Sequence, residues 1–237
     1  MNIEKEMQKY RDMGFDEYQL DQIEKGLKKG LDITIYAKLE FNKAQMWSIR
    51  FALEENVPRE IIELIANPNF CHEQMEVIKT AGKCKMPLNE IKIFAKPEYN
   101  SSQMEYLILG IQRDYDVSIY ENPNLSYMQM GQIFFGFEAG LSLEKIQLYA
   151  KPEFNEYQMH EIKLGFEHGL LMDEVKTYAN SEYSDKYMFL LRMSLEYDID
   201  INSCKILDWN KIENLKKNEI ENIYNYLIKR KKANIRG

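Results

Sequence analysis

One phrase recurs along this 237-residue chain, and that recurrence constrains the fold more than any other feature. Its fullest form is Lys151-Pro152-Glu153-Phe154-Asn155-Glu156-Tyr157-Gln158-Met159. Taking the hydrophobic residue after the Gln as an anchor gives Leu20, Met46, Met75, Met104, Met130, Met159 and Met188, with steps of 26, 29, 29, 26, 29 and 29 residues. Five residues before the anchors stand Phe15, Phe41, Phe70, Tyr99, Leu125, Phe154 and Tyr183. Five further back stand Tyr10, Tyr36, Ile65, Phe94, Tyr120, Tyr149 and Tyr178. Six residues after the anchors the side chain is always small: Gly26, Ala52, Ala81, Gly110, Gly136, Gly165 and Ser194. A fixed period of this length is the signature of a stacked array of one small unit. The step pattern itself repeats, so a three-unit block of 84 residues is duplicated, with a partial third block from Tyr183.

Each unit is expected to hold two helices. The first starts at a cap: Asp16, Asn42, Cys71, Asn100, Ser126, Asn155 or Ser184. In six of the seven a Gln follows three residues later, which forms a capping box. Apolar residues three and seven beyond the anchor, as in Met159, Ile162 and Phe166, make one helical stripe. The helix should stop at a left-handed residue, for which Gly30, Asn56, Asp114, Gly140, Gly169 and Asp198 are suited and Lys85 is not. Shorter second helices are expected at Arg59–Ala66, Leu88–Ala95, Ser142–Ala150 and Met172–Ala179, with Pro68, Pro97, Pro123 and Pro152 as terminating residues. In the 26-residue steps this helix loses about one turn, which predicts tighter bends at 31–40 and 115–124. The fold class is therefore all-α: a solenoid of about seven two-helix repeats over residues 1–202 with a C-terminal helical cap, 203–237. In the cap Leu207, Trp209 and Ile212 are expected to pack on the last repeat, and Ile220, Ile223 and Leu227 to form an apolar stripe after the capping box Asn218–Glu221.

Charge is divided along the chain. Residues 1–204 carry 22 basic and 34 acidic side chains, and residues 205–237 carry 9 and 4. The array disfavours direct nucleic-acid binding. The basic tail, Lys229-Arg230-Lys231-Lys232, is open to two readings: complementing a helix dipole, or contacting nucleic acid or an acidic partner. No apolar run is long enough to span a membrane and residues 1–6 carry no signal-peptide core, so a cytoplasmic protein is expected. Three widely spaced cysteines fit a reduced compartment.

Catalytic signatures are sparse. Cys71 and His72 are adjacent, but the cap role explains Cys71 without chemistry. His160 and His168 stand eight apart, too far to share a metal as an i, i+4 pair does. Zinc spacing, a phosphate loop and a dinucleotide fingerprint are absent, so no enzyme activity, metal or cofactor is expected.

Candidate binding residues come from departures from the repeat. The position five after the anchor should face away from the main stripe, yet it holds Phe51, Leu109, Phe135, Leu164 and Met193. Trp47 lies one turn before Phe51, and Ile108 and Phe134 stand where other units carry Glu24, Arg50, Lys79, Lys163 and Arg192. This row is either buried between units or a partner or self-association surface built on Trp47, Phe51, Tyr106, Ile108, Leu109, Phe134 and Phe135. Residues 101–200 also carry 17 acidic against 7 basic side chains. Their carboxylates, with Glu138, Glu156, Glu161 and Glu167 as candidate contacts, line either a solvated face or one that steers a basic partner.

The stretch Tyr149–Leu170 resembles short helical repeats in proteins of phages and mobile elements of low-GC bacteria, a group of uncharacterised activity; the likeness covers residues 10–199. The usual variant of that repeat has Asp where this chain has Lys151 or Glu153, and no catalytic residue carries over. The resemblance implies a small accessory protein that binds another protein. Two functions are thus expected: a non-catalytic protein-binding scaffold, alone or as a homodimer, or an anti-defence inhibitor of anti-CRISPR-like type. The second would block a basic nucleic-acid-binding groove with its acidic surface.

Overall fold

A computed structural model of the chain describes residues 3–198, together with Asn222, Ile223, Asn225, Tyr226 and Lys229. Among these residues it is all-helical, with twelve α-helices, two 3-10 turns and no strand. No helix among them is long and apolar enough to cross a membrane. The chain divides into two compact units, Met1–Val117 and Ser118–Gly237. The first holds α1 (Ile3–Asp12), α2 (Glu17–Lys28), α3 (Lys43–Glu54), α4 (Arg59–Ile65), α5 (His72–Lys83), α6 (Leu88–Phe94) and α7 (Ser101–Gln112). The second holds α8 (Tyr127–Glu138), α9 (Leu143–Tyr149), α10 (Glu156–Glu167), α11 (Met172–Lys176) and α12 (Asp185–Glu196). The expected cap residues Leu207, Trp209 and Ile212, the capping box Asn218–Glu221 and the tail residues 230–232 lie outside the described residues; Ile223 is described and buried.

Seven helices begin at the caps that the repeat marks and run for 12 residues each. At α3 the Asn42 side chain accepts from Gln45 N–H while Asn42 N–H donates to Gln45 Oε1, satisfying two orphan donors reciprocally. Their C-terminal ends are alike. The left-handed residue is Gly30, Asn56, Lys85, Asp114, Gly140, Gly169 or Asp198. In α3 the Val57 amide bonds Ala52 O and the Asn56 amide bonds Leu53 O, the Schellman pattern. Lys85 adopts φ 61° like the rest, held by the same terminal bonds, from its own amide to Gly82 O and from the Met86 amide to Ala81 O, despite its poor fit for the site. Lys85→Gly is therefore expected to stabilise the chain by about 0.5–1 kcal/mol in denaturant melts, the left-handed strain removed exceeding the added backbone entropy.

The second helices form where expected, at α4, α6, α9 and α11. In the two 26-residue steps a single 3-10 turn replaces them, at Ile33–Ile35 and Val117–Ile119. In the first unit α2, α3, α5 and α7 pack in succession, with α4 against α3 and α5 and α6 against α5 and α7. In the second unit α10 packs against both α8 and α12, and α9 lies against α8 and α10. The anchors Met46, Met75, Met104, Met130, Met159 and Met188 are wholly buried.

Two couplings recur between elements within the units. The first is a tyrosine seated on a glycine. Tyr36 Oη donates to Gln22 O, Tyr149 Oη to Gln132 O and Tyr178 Oη to Glu161 O. Each hydroxyl occupies the space that a Cβ would take on Gly26, Gly136 or Gly165. Burial pushes all three phenols well above their ordinary range, so they remain neutral donors. Where the phenol is missing, at Ile65 and Phe94, the matching small residues are Ala52 and Ala81.

The second coupling is the capping Gln. Its Oε1 serves its own helix, and its Nε2 donates to two carbonyls of the following turn. Gln45 Nε2 lies 2.9 Å from Pro68 O and 2.7 Å from Phe70 O, and Gln158 Nε2 lies 2.9 Å from Ser181 O and 2.6 Å from Tyr183 O. Gln19, Gln74 and Gln129 repeat the arrangement.

Candidate protein-binding surface

Charge inside the units decides which groups remain for a partner. The position four residues after the anchor carries Arg50, Lys79, Lys163 and Arg192, and all four are buried. Arg50 donates from Nε to Gln22 Oε1 at 3.0 Å and pairs with Glu54. Lys79 Nζ pairs with Glu76, lies 3.8 Å from Glu55 and sits over the rings of Trp47 and Phe51. Lys163 pairs with Glu167 at 2.7 Å. Arg192 bridges Glu161 at 2.8 Å and Glu196 at 2.6 Å. A buried cation is tolerated only when paired in this way. The sequence signal for this column was a cation recurring at one register position with acceptors near it, and amphipathicity alone gives no reason to place it inside.

The candidate apolar residues fall into separate groups. Trp47, Phe51, Tyr106, Ile108 and Leu109 belong to the first unit, and Phe134 and Phe135 to the second. Trp47 and Phe51 are half-buried and stacked at 5.0 Å, with His72 edge-on to Trp47. Tyr106 and Ile108 are half-buried, and Leu109 is 38% exposed. Phe134 is corrected from surface to core: it is 5% exposed, and it shares its register position with the buried cations Arg50, Lys79, Lys163 and Arg192. Phe135 is 48% exposed. Met193, in the same row, is buried.

Phe135 has exposed companions that the repeat did not single out. Met128 precedes it by seven residues, hence on the same side of α8, and is 45% exposed; Tyr127 is beside it. On α10 the positions equivalent to Met128 and Phe135 are Tyr157, 61% exposed, and Leu164, half-exposed. Since α8 and α10 share one register and pack together, these side chains form an apolar stripe along the second unit. The missed signal was an aromatic or Met two residues before the anchor, a position that holds the exposed Tyr18 on α2 and Ala44, Glu73, Ser102 and Lys186 in the remaining repeats.

The candidate carboxylates divide as well. Glu138 is exposed and Glu156 is half-buried at the first turn of α10. Glu161 is turned inward onto Arg192, and burial raises its carboxyl above the usual range against the pull of that guanidinium. Glu167, though exposed, is held by Lys163. Because Lys163 and Arg192 are buried, Lys151 and Lys176 are the exposed cations between residues 118 and 198, against seven exposed carboxylates. The exposed charge of these residues is thus mainly acidic.

The groups with chemical potential are engaged structurally. His72 Nδ1 lies 2.6 Å from Ser48 Oγ, but Ser48 has no exposed surface on which to meet a substrate. Burial, then Lys163 and Arg192, hold His160 below the ordinary imidazole range, beside Gln132. His168 bonds Glu196 at 2.8 Å. Among the described residues no group of three or more His, Cys, Asp or Glu could hold a metal ion. Comparison with protein-family models, curated proteins and solved structures finds no match to this chain.

Proposed function

We propose that this chain is a non-catalytic helical-repeat scaffold, a solenoid of seven units closed by a C-terminal helical cap, that binds another protein through the α8–α10 side of its second unit. The observation that carries this reading is Phe135, a large apolar side chain 48% exposed on a helix whose other faces are packed. With Met128, Tyr127 and Tyr157 it offers a rigid apolar surface of the kind that marks an interaction site. Phe135→Glu is expected to leave the helical signal and melting temperature unchanged while weakening partner capture by about tenfold or more. The check compares wild-type and variant proteins as bait against the same source-cell extract, with sedimentation of the purified chain to detect a homodimer. Loss of folding in the variant would place Phe135 in the core and sink the proposal.

The excess of exposed carboxylates supports a second reading, an inhibitor that occupies a basic nucleic-acid-binding groove, in the manner of the accessory proteins of mobile elements that the repeat resembles. Salt separates the two. Raising the ionic strength from 0.1 to 1 M shortens the screening length from about 10 to about 3 Å, which dissolves a charge-led complex and spares an apolar one.

A further inference from the structure

The buried cation column has a gap in the first unit. Between α2 and α3 the pair is Gln22 with Arg50, and between α10 and α12 it is Glu161 with Arg192. At the same two positions α5 and α7 carry Val77 and Ile108. Both replacements are shorter and neither is polar, and a cleft of about 290 Å³ lies there, with Val77, Ala81, Met86 and Ile108 among its walls. Glu76 and Glu105 line the same cleft. Glu76 gives Oε2 to Lys79, while its Oε1 is enclosed and has no hydrogen-bond partner. Glu105 has no ion-pair partner among the described residues. Of the ion pairs at the cleft, Lys79 takes Glu76 and Lys83 takes Glu55, which leaves Glu105 outside them.

We infer that this cleft is a subsite for one arginine side chain presented by a protein partner, which supplies from outside a cation of the kind that Arg50, Lys79, Lys163 and Arg192 supply from within. An apolar floor with carboxylates at its edge fits an arginine, whose methylene stem is apolar and whose planar head is charged. The volume lies just under the usual range for ligand pockets and is ample for one long side chain. The subsite lies in the other unit from Phe135 and does not depend on that surface.

Cys84 provides the test, since its thiol is exposed and lines the cleft, while the exposed Cys71 serves as internal reference. The intact protein is alkylated with iodoacetamide in the presence of the blocked peptide Gly-Gly-Arg-Gly-Gly, and each cysteine is followed by peptide mass spectrometry. Cys84 should react about fivefold more slowly at peptide concentrations of order 10 mM, with Cys71 unchanged, and the same peptide with citrulline for arginine should give no protection. Ile108→Lys closes the gap from within, so Cys84 should then react at one rate with or without peptide. Should that variant fail to fold, Glu105→Gln at an exposed position takes its place and should weaken protection about threefold. Equal protection by the citrulline peptide, or none by arginine, overturns the inference. Stronger protection by spermidine than by the arginine peptide also overturns it, in favour of a free amine.

Discussion

Gly136→Ala is expected to destabilise the protein by about 2 kcal/mol, although the same change in an unhindered helix stabilises by about 1 kcal/mol. The sign is set by Tyr149. A Cβ on Gly136 would fall inside contact distance of Tyr149 Oη, 3.3 Å from its Cζ and 3.4 Å from Ile146 Cγ1. Tyr149 has no exposed surface, so the ring has nowhere to retreat without opening the α8–α9 contact. Relieving the clash also breaks the bond from Tyr149 Oη to Gln132 O, which adds about 1 kcal/mol to the loss.

Tyr149→Phe in the same chain should reverse that sign. Alone it removes a hydroxyl and costs about 1 kcal/mol. In the Gly136→Ala background it removes the atom that the new methyl meets, so the double variant should be at least as stable as Tyr149→Phe. A coupling energy of about 2–3 kcal/mol from urea melts of the four proteins is the expected readout. The native chain already contains the neutral version of this pair, Ala81 with Phe94. Additive effects of the two substitutions would show that the small column does not mark close approach.

The repeat register made much of this fold legible. Caps, anchors and left-handed ends depend on residue type at fixed spacing, and a local hydrogen-bond pattern follows from each, so seven helices start where the sequence places them. Lys85 shows the limit of local preference: its register position, set by the helix before it, decided its conformation. Features that join one helix to another were less accessible. Gly136 and Tyr149 each stand out as members of columns, but their mutual exclusion of a Cβ appears only when the two helices are placed together. The same holds for Arg192 and Glu161, 31 residues apart, which turned a presumed surface carboxylate into an interior one. In the candidate surface Phe135 was accessible from its register and Phe134 was misplaced, because one apolar residue at a cation position gives no sign of which side is inward. The exposed Met128 and Tyr157 went unnoticed since they precede the helical stripe from which facing was judged.

The capping Gln supports the other large effect. Gln45→Glu should cost about 3 kcal/mol at pH 7, more than the approximately 1 kcal/mol expected for Asn42→Ala, which removes only the cap. The capping half of the residue's work survives the change, because a carboxylate oxygen still accepts from Asn42 N–H as Gln45 Oε1 does at 2.8 Å. The other half is inverted. Nε2 now donates to Pro68 O and Phe70 O, and a second carboxylate oxygen would face both carbonyls at a site only 5% exposed. Two acceptors, one of them buried, lose their donor, and a charge is added without a partner. Such a carboxyl has its folded-state pKa raised above the unfolded value of about 4.3, so the folded variant binds more protons than the unfolded one between those two values. Its stability should therefore fall as pH rises through that window and recover on acidification, when the protonated acid can donate to one of the carbonyls. The difference between wild type and variant should shrink from pH 7 toward pH 5, with faster amide exchange at residues 67–70 in the variant at neutral pH. A penalty no larger than that of Asn42→Ala, and flat with pH, would mean that the recurring Gln is a cap and nothing more.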